Sequence, residues 1–505
     1  MPTDAATLAT LATLERELKL EADLDFVVPD LTGLAGEPER LPTQELRTSY
    51  FDTADFRLWR QGMTLRLRVE HGRDGDSAMW TLKRTQRPDG PTLDRTEESW
   101  AGDTQHLPTE VADLLRGVVR RASLEKVADL VTTRRRLLFH DPDGTPSVEL
   151  DDDTVTVVSG GRDGLRFRQL ELELRGGHAV PEVLLRRLRT AGAHPDEEPK
   201  LAKAVDLPAV AAGPGPKPRL ADVVRDRIGS LLRDLLENDV MLRRDPSNPS
   251  NPPIAAVHDA RVATRRLRSD LKTFRPALDP IWVRRTRDEL EWLGGLLGRV
   301  RDVDVLAPKV RNDPGDRTSD SDGKAVLRSA LAHQRRAAAR DLADALASPR
   351  YLDLLDRLHA AARVPPFSAD GPAMDPARRA LPRLVRRAWR RLDREVDAAG
   401  AEPSDAGLHR IRIKAKEVRY AAEAVCGKDA RRLANAAKRL QDLLGEHHDA
   451  VAAEAWLRDQ ASSPLVAFAA GRLSAEQHQR QVELREEWPR AWRSLSQKKR
   501  RAWLR

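Results

Sequence analysis

The 505-residue sequence predicts an α+β, two-domain protein: a β barrel with a charged lumen, followed by an all-α domain of two duplicated helical bundles. Three observations predict it. In the first two fifths of the chain there are about eight short strand-like segments, several of them with charged side chains at every second position, the period of a strand. A stretch rich in Pro, Gly and Ala, 208–218, then interrupts the pattern. Beyond it, a histidine-led basic stripe with helical spacing occurs twice, 151 residues apart. The expected divisions are 10–207 for the barrel, 208–218 for the linker and 219–505 for the helical domain.

Composition narrows the function classes. The net charge is +8, but residues 219–505 hold 57 Lys+Arg against 41 Asp+Glu, a formal +16, which leaves −8 for residues 1–218. A basic domain concentrates polyanions through its summed field. Cys426 is the one cysteine, so no intramolecular disulfide forms, which suits a reducing cytoplasm. The start lacks the blocks of a signal peptide, and no apolar run of about 18 residues exists to span a membrane. The expectation is a cytoplasmic protein without a membrane partner.

The first segment, 14–20, puts Glu15, Glu17 and Lys19 on one face if it is a strand. Two carboxylates about 7 Å apart suit a hard divalent cation. Residues 46–51 form the next segment, and Asp52-Thr53-Ala54-Asp55 is a turn signal. Residues 64–70 alternate strictly, with Arg66 and Arg68 on one face. Residues 79–83 set Thr81 and Lys83 opposite Trp80 and Leu82, and Arg95 to Ser99 is a further charged strand with Glu97. Residues 111–120 read as a helix, 130–139 contain Arg134-Arg135-Arg136, and 147–158 carry Glu149, Asp151 and Asp153 on one parity. Glu171-Leu172-Glu173 is a second E-x-E strand, and Lys200 and Lys203 follow. A half-buried sheet also alternates. It does not explain why acids cluster in the first, late and last strands while Arg and Lys occupy the middle ones; a barrel with a polar lumen explains both.

These residues resemble the CYTH domain. The resemblance is carried by E-x-E-x-K at Glu15, Glu17 and Lys19, and by Tyr50-Phe51-Asp52-Thr53 with Leu65-Arg66-Leu67-Arg68. Trp80-Thr81-Leu82-Lys83 and Glu171-Leu172-Glu173 complete it, in order over 10–207. It implies a triphosphate tunnel metalloenzyme: an eight-stranded antiparallel barrel binding a triphosphate tail and a divalent metal, Mg²⁺ or Mn²⁺. It implies metal ligation by Glu15, Glu17, Glu171 and Glu173. It implies phosphate contacts from Lys19, Arg66, Arg68, Lys83 and Arg134, with Lys200 near the end and Arg95 on another charged strand. The late-strand Asp ligand falls within 151–153, where the motif's glycine is missing; parity with Glu149 favours Asp151 or Asp153 and leaves both open.

In the second domain, 220–243 is a periodic helix ended by the proline-rich 246–253. His258, Arg261, Arg265, Arg268 and Lys272 then share one narrow helical stripe. Ala260, Thr264, Leu267, Leu271 and Phe274 form the inward seam beside it. His409, Arg412, Lys416 and Arg419 repeat the stripe, with Ile411, Ala415, Val418, Ala422 and Val425 as the seam. Leu296-Leu297-Gly298 with Arg301-Asp302 returns as Leu443-Leu444-Gly445 with His448-Asp449. The pattern resembles the CHAD domain, over 219–505 and both repeats. That resemblance implies a basic surface for inorganic polyphosphate, made by the two stripes together with Arg301 and His448. Asp302 and Asp449 either orient these bases or cap the surface. Metal binding by His447-His448 is a weaker reading, since no third ligand shares their spacing.

The leading expectation is a metal-dependent hydrolase of inorganic triphosphate or polyphosphate, with the helical domain binding polyphosphate. Its rival is a non-catalytic polyphosphate binder that localises to polyphosphate granules. Nucleic-acid binding is disfavoured because the basic half lacks the aromatic ladder that stacks bases.

Overall fold

In the computed structural model, the described residues are 11–32, 38–72, 75–85, 93–141, 143–175, 182–196, 198–209, 213–244, 248, 250–310, 321–425 and 427–504. The side chains of 11–17, 71–72, 75–76, 85 and 93–95 lie outside the description. The chain divides into two compact units, Met1–Ala211 and Ala212–Arg505.

Period-2 alternation yields strands throughout the first unit. They are β1 (Leu11–Ala22), β2 (Glu39–Asp52), β3 (Met63–Gly72), β4 (Gly75–Thr85), β5 (Leu93–Ala101), β6 (Glu125–His140), β7 (Pro146–Ser159), β8 (Arg166–Leu174) and the two-residue β9 (His194–Pro195). Between and after them come α1 (Arg57–Arg60), α2 (Thr109–Val119), α3 (Glu182–Thr190) and α4 (Lys200–Ala204). The spatial order is β5-β4-β3-β2-β6-β7-β8-β1, and β1 pairs back onto β5, so eight strands close into a barrel with β9 added beside β1. Every pairing is antiparallel. Closure abolishes the sheet edges and separates two faces along each strand.

The outer face is apolar where helices cover it. Leu20, Leu150, Leu170 and Leu172 pack beneath Leu184, Leu185 and Leu188 of α3. Each leucine so buried contributes about 1.5–3 kcal/mol. Inward residues at one end are apolar too: Tyr50, Leu130, Val155 and Val157 pack against Leu201 and Ala204 of α4, which fills that end. The Asp52 turn signal acts through its carboxylate, which accepts from the backbone N–H groups of Thr53, Leu58 and Trp59 and so starts α1.

The second unit is helical: α5 (Leu220–Leu242), α6 (Ile254–Thr273), α7 (Pro280–Leu306), α8 (Ser321–Ala347) and α9 (Pro349–Arg363) precede α10 (Ala377–Ala399), α11 (Asp405–Glu423), α12 (Lys428–Asp459), α13 (Pro464–Leu495) and α14 (Lys498–Arg501). Asp279, Ser348, Ser404 and Ser463 cap their helices by accepting from the N–H three residues on. Both predicted seams are inward: Ala260, Thr264, Leu267, Leu271 and Phe274 are buried, as are Ile411, Ala415, Val418 and Ala422, with Val425 half-buried. The copies share part of their interior. Val303 of α7 and Leu327 and Leu331 of α8 form one core with Leu457 of α12 and Val466, Ala469 and Leu473 of α13. No helix among the described residues is long and apolar enough to cross a membrane.

Gly323 permits that joint core. A Cβ there would stand 2.5 Å from the carbonyl oxygen of Leu465 and 2.8 Å from Cβ of Ala469. Gly323→Ala is expected to force α8 and α13 apart and lower stability by about 1–3 kcal/mol, read as an earlier midpoint in urea unfolding.

Candidate functional site

Barrel closure explains the distribution of charge along the sequence. β7, β8 and β1 are spatial neighbours, so the strands that carry the late, last and first acids of the chain stand side by side, and the described acids of β7 and β8 line one wall of the lumen. Register sets Asp151 beside Glu171, Glu149 beside Glu173, Glu173 beside Glu17 and Glu171 beside Lys19. Glu15 stands opposite Arg95 across β1 and β5. The side chains of Glu15, Glu17 and Arg95 lie outside the description, so their backbone positions alone are stated. β3 and β4 supply Arg66, Arg68 and Lys83 from the facing wall, and β6 supplies Arg134.

Arg134 is the hub. It is 8% exposed and forks onto Asp153 at 2.8 and 2.7 Å, while reaching Glu171 at 3.1 Å and also Asp151. Lys200, entering from α4, meets Asp153 at 2.6 Å and Glu171 at 3.0 Å; Lys19 meets Glu171 at 3.2 Å. Burial disfavours ionisation of Asp153 and Glu171, but Lys200 and Arg134, with Lys19 at Glu171, outweigh it and hold both below the ordinary range. Asp151 behaves oppositely: burial, reinforced by Glu173, Asp153 and Glu149, overcomes Arg134 and pushes its carboxyl up to about 7. Its Oδ1 is buried without a hydrogen-bond partner. Burial and Glu171 also raise Glu173.

Of the three consecutive aspartates, Asp151 and Asp153 face the lumen. Asp152 points the other way, into a two-bond fork with Arg168 at 2.7 Å each. Arg66 and Lys83 share Glu97, at 3.3 and 2.5 Å. The register of β4 and β5 sets Glu97 opposite Lys83. Arg136 and Arg175, outside the predicted set, both hold Glu149. Arg68 has no carboxylate partner among the described residues; the adjacent Arg66, with burial and Arg134, lowers its guanidinium to about 10. Among the described residues no three His, Cys, Asp or Glu are grouped to hold a metal by themselves.

In the helical unit the two stripes form one surface, since α6 packs on α11. Arg265 donates from Nε to the hydroxyl of Tyr420 at 2.9 Å, and Arg266 and Arg419 lie over the same buried ring. The repeated glycines lie against the stripe arginines: a Cβ on Gly298 would sit 3.6 Å from the Arg261 guanidinium, and one on Gly445 3.5 Å from Arg412 Nε, both ordinary contact distances. Asp302 orients Arg261, at 3.0 Å. Arg268, Lys272 and Arg419 are held by Glu291, Glu417 and Glu423. Arg265, Arg412, Lys416, His258, Arg301, His409 and His448 carry no carboxylate ion pair among the described residues.

The histidines leading the stripes are shifted toward their neutral forms. Burial and Arg301 lower His258; burial and Arg412 lower His409, and the same causes bring His448 to about 4. The rings of His409 and His448 lie 4.3 Å apart. His447 is buried and turned toward Asp405 instead, so the adjacent pair does not act together.

A barrel with a charged lumen, followed by a duplicated helical unit with one basic surface, defines a two-module architecture. The CYTH domain profile matches residues 14–189 and the CHAD domain profile residues 226–458. An uncharacterized protein of Mycobacterium tuberculosis strain H37Rv is 32% identical over 476 residues, 89% of each chain. The crystallised CHAD domain from the plant Ricinus communis is 27% identical, covering 56% of this chain and 94% of its own, with a TM-score of 0.44. PptA from Streptomyces chartreusis is 24% identical, covering 55% and 99%, also at 0.44. The chain belongs to the CYTH–CHAD proteins.

Lys416 provides a check on the electrostatics. Burial, then Arg412, Arg265 and Arg261, bring its amine from 10.5 to about 6. Between those values the unfolded chain holds a proton that the folded one lacks, so stability falls as pH drops from about 10.5 toward 6 and is constant below. Lys416→Met is therefore expected to raise the thermal midpoint at pH 7 by more than it does at pH 10.

Proposed function

We propose that the barrel hydrolyses a phosphoanhydride bond of inorganic triphosphate or polyphosphate with a divalent metal, and that the helical unit binds polyphosphate. The observation that carries the reading is a mismatch inside the lumen: Arg68 lacks an anion while Asp151 keeps an orphaned, buried oxygen and a carboxyl raised to about 7. A phosphate chain bound with a cation would satisfy both.

CYTH domains are typically divalent-metal-dependent. The donors here are carboxylate oxygens, which suit Mg²⁺ or Mn²⁺, and the orphaned Oδ1 of Asp151 is where the residues present fit such an ion. Asp151, Asp153, Glu171 and Glu173, with Glu15 and Glu17, would hold it. When bound, the metal supplies neutralisation of charge developing on phosphoryl oxygens. Arg68, Arg66 and Lys83 hold phosphate oxygens from the facing wall, and Arg134, Lys19 and Lys200 turn from carboxylates to phosphates as the substrate enters. The apolar contacts of α4 keep water from one end of the lumen. In the helical unit, Arg261, Arg265 and Arg412 present charge along one surface, and Lys416 and the histidines, shifted toward their neutral forms, donate hydrogen bonds.

Phosphate release from triphosphate and from long-chain polyphosphate, with Mg²⁺ or with EDTA, tests the catalytic part. Release should require the metal and vanish in Glu15→Gln with Glu17→Gln; activity surviving both changes removes these acids from the mechanism. A wild type that releases nothing with any divalent metal leaves the binding role alone.

For the helical surface, Arg261→Glu, Arg265→Glu and Arg412→Glu together should weaken polyphosphate binding by at least about a hundredfold. The exposed set Arg336, Arg340, Arg431 and Arg432 should matter little when reversed. Equal losses would assign binding to bulk charge.

A further inference from the structure

Helix α10 carries an exposed arginine face that the polyphosphate reading above does not use. At 100° per residue, Arg379, Arg383, Arg386, Arg387, Arg390 and Arg394 fall within an arc of about 100°. The opposite side is the core side, with Leu381, Leu384, Val385, Ala388 and Leu392 buried. The ridge runs about 22 Å along the helix.

Charged helix faces are ordinarily balanced, and this one is not. Arg379, Arg383, Arg387 and Arg390 have no carboxylate partner among the described residues, and Nε of Arg386 is buried without any partner. Between residues 378 and 392 the helix holds no acid at all. Arginines stand four apart at 379/383/387/391 and again at 386/390/394, an arrangement that repels along a helix. The corresponding helix of the first copy, α5, instead mixes Asp222, Asp226 and Asp234 among Arg225, Arg227 and Arg233. The duplicated fold therefore does not require the ridge.

The ridge is continuous with the basic surface of α6 and α11. Arg391, one turn beyond Arg387, lies 3.2 Å from Glu417. The same carboxylate takes Lys272, the last base of the first stripe, at 2.5 Å. An anion leaving the stripes at Lys272 meets Arg391 and then the ridge. Guanidinium forks suit phosphate oxygens, and the ridge contains no lysine.

We propose that the α10 arginine ridge is a second contact site for long polyphosphate, holding the part of the chain that extends beyond the stripes. This rests on polyphosphate binding by the helical unit and adds a consequence to it: affinity grows with chain length through residues outside the repeated motif.

The test uses the full chain with Arg379→Gln, Arg383→Gln, Arg387→Gln and Arg390→Gln, since glutamine keeps helix propensity close to that of arginine. Binding of tripolyphosphate and of long-chain polyphosphate is titrated at about 0.15 M salt, where remote charge is screened. Long-chain affinity should fall about tenfold with a shallower salt dependence, while tripolyphosphate affinity stays unchanged. Circular dichroism should show the helix content retained. The pair Arg383→Gln and Arg387→Gln should give an intermediate loss. Neutralising Arg336, Arg340, Arg431 and Arg432 should change long-chain affinity by less than about twofold. A ridge variant that binds long chains like this control overturns the ridge while leaving the stripes standing. So does an equal loss for both probes, or ridge-dependent binding of single-stranded nucleic acid tighter than that of polyphosphate at the same salt. Wild-type protein that binds neither phosphate probe overturns the stripes as well.

Discussion

The barrel depends on one buried cation. Arg134 bridges Asp151, Asp153 and Glu171, side chains of two neighbouring strands, in a place where unpaired charge is costly. Taking one partner out of such a pair costs about 3–5 kcal/mol, because the remaining charge stays desolvated. Lys200 extends the network to α4 and Lys19 extends it to β1, so five elements, β6, β7, β8, α4 and β1, are fixed relative to each other by electrostatics in this part of the lumen. The same network limits what the lumen can do. Arg134, Lys19 and Lys200 are already occupied by carboxylates, and an incoming anion must compete for them or bring its own cation.

The helical unit solves a related problem differently. Among the described residues it leaves Arg265, Arg301, Arg412 and Lys416 without matching acids and accommodates the titratable groups by lowering their charge. Burial and neighbouring arginines shift Lys416 and the three histidines toward their neutral forms, whereas the arginines stay charged. Tyr420 adds a neutral surface on which guanidiniums rest. The two copies are not equivalent: the position of Tyr420 in the first copy is Ser269, so Arg265 has a phenol partner that Lys416 lacks.

Much of this was legible in the sequence because charge at a fixed period survives folding unchanged. The parity of Glu149, Asp151 and Asp153 sent those three inward, and Asp152 went outward to Arg168, as a strand requires. The helical seams at 260–274 and 411–425 were readable for the same reason. Partners were less legible. Nothing local in the sequence pairs Arg66 and Lys83 with Glu97, since that contact depends on which strands become neighbours. The protonation of the histidines was hidden too, because it reflects arginines brought near by packing rather than by spacing. The close approach of α8 and α13 at Gly323 joins parts of the chain more than 140 residues apart, and neither segment announces the other.

The pairing of β1 with both β5 and β8 also sets an order of events. The first strand finds its second neighbour only after residue 174 exists, so the lumen cannot close while the chain is still being made up to that point. Contacts this far apart in sequence form late and slowly. Until then, the bases of β3 and β4 lack the carboxylate wall that β7 and β8 supply. A nascent chain of this kind is held open by its own topology, and the barrel is complete only when its last strands have emerged.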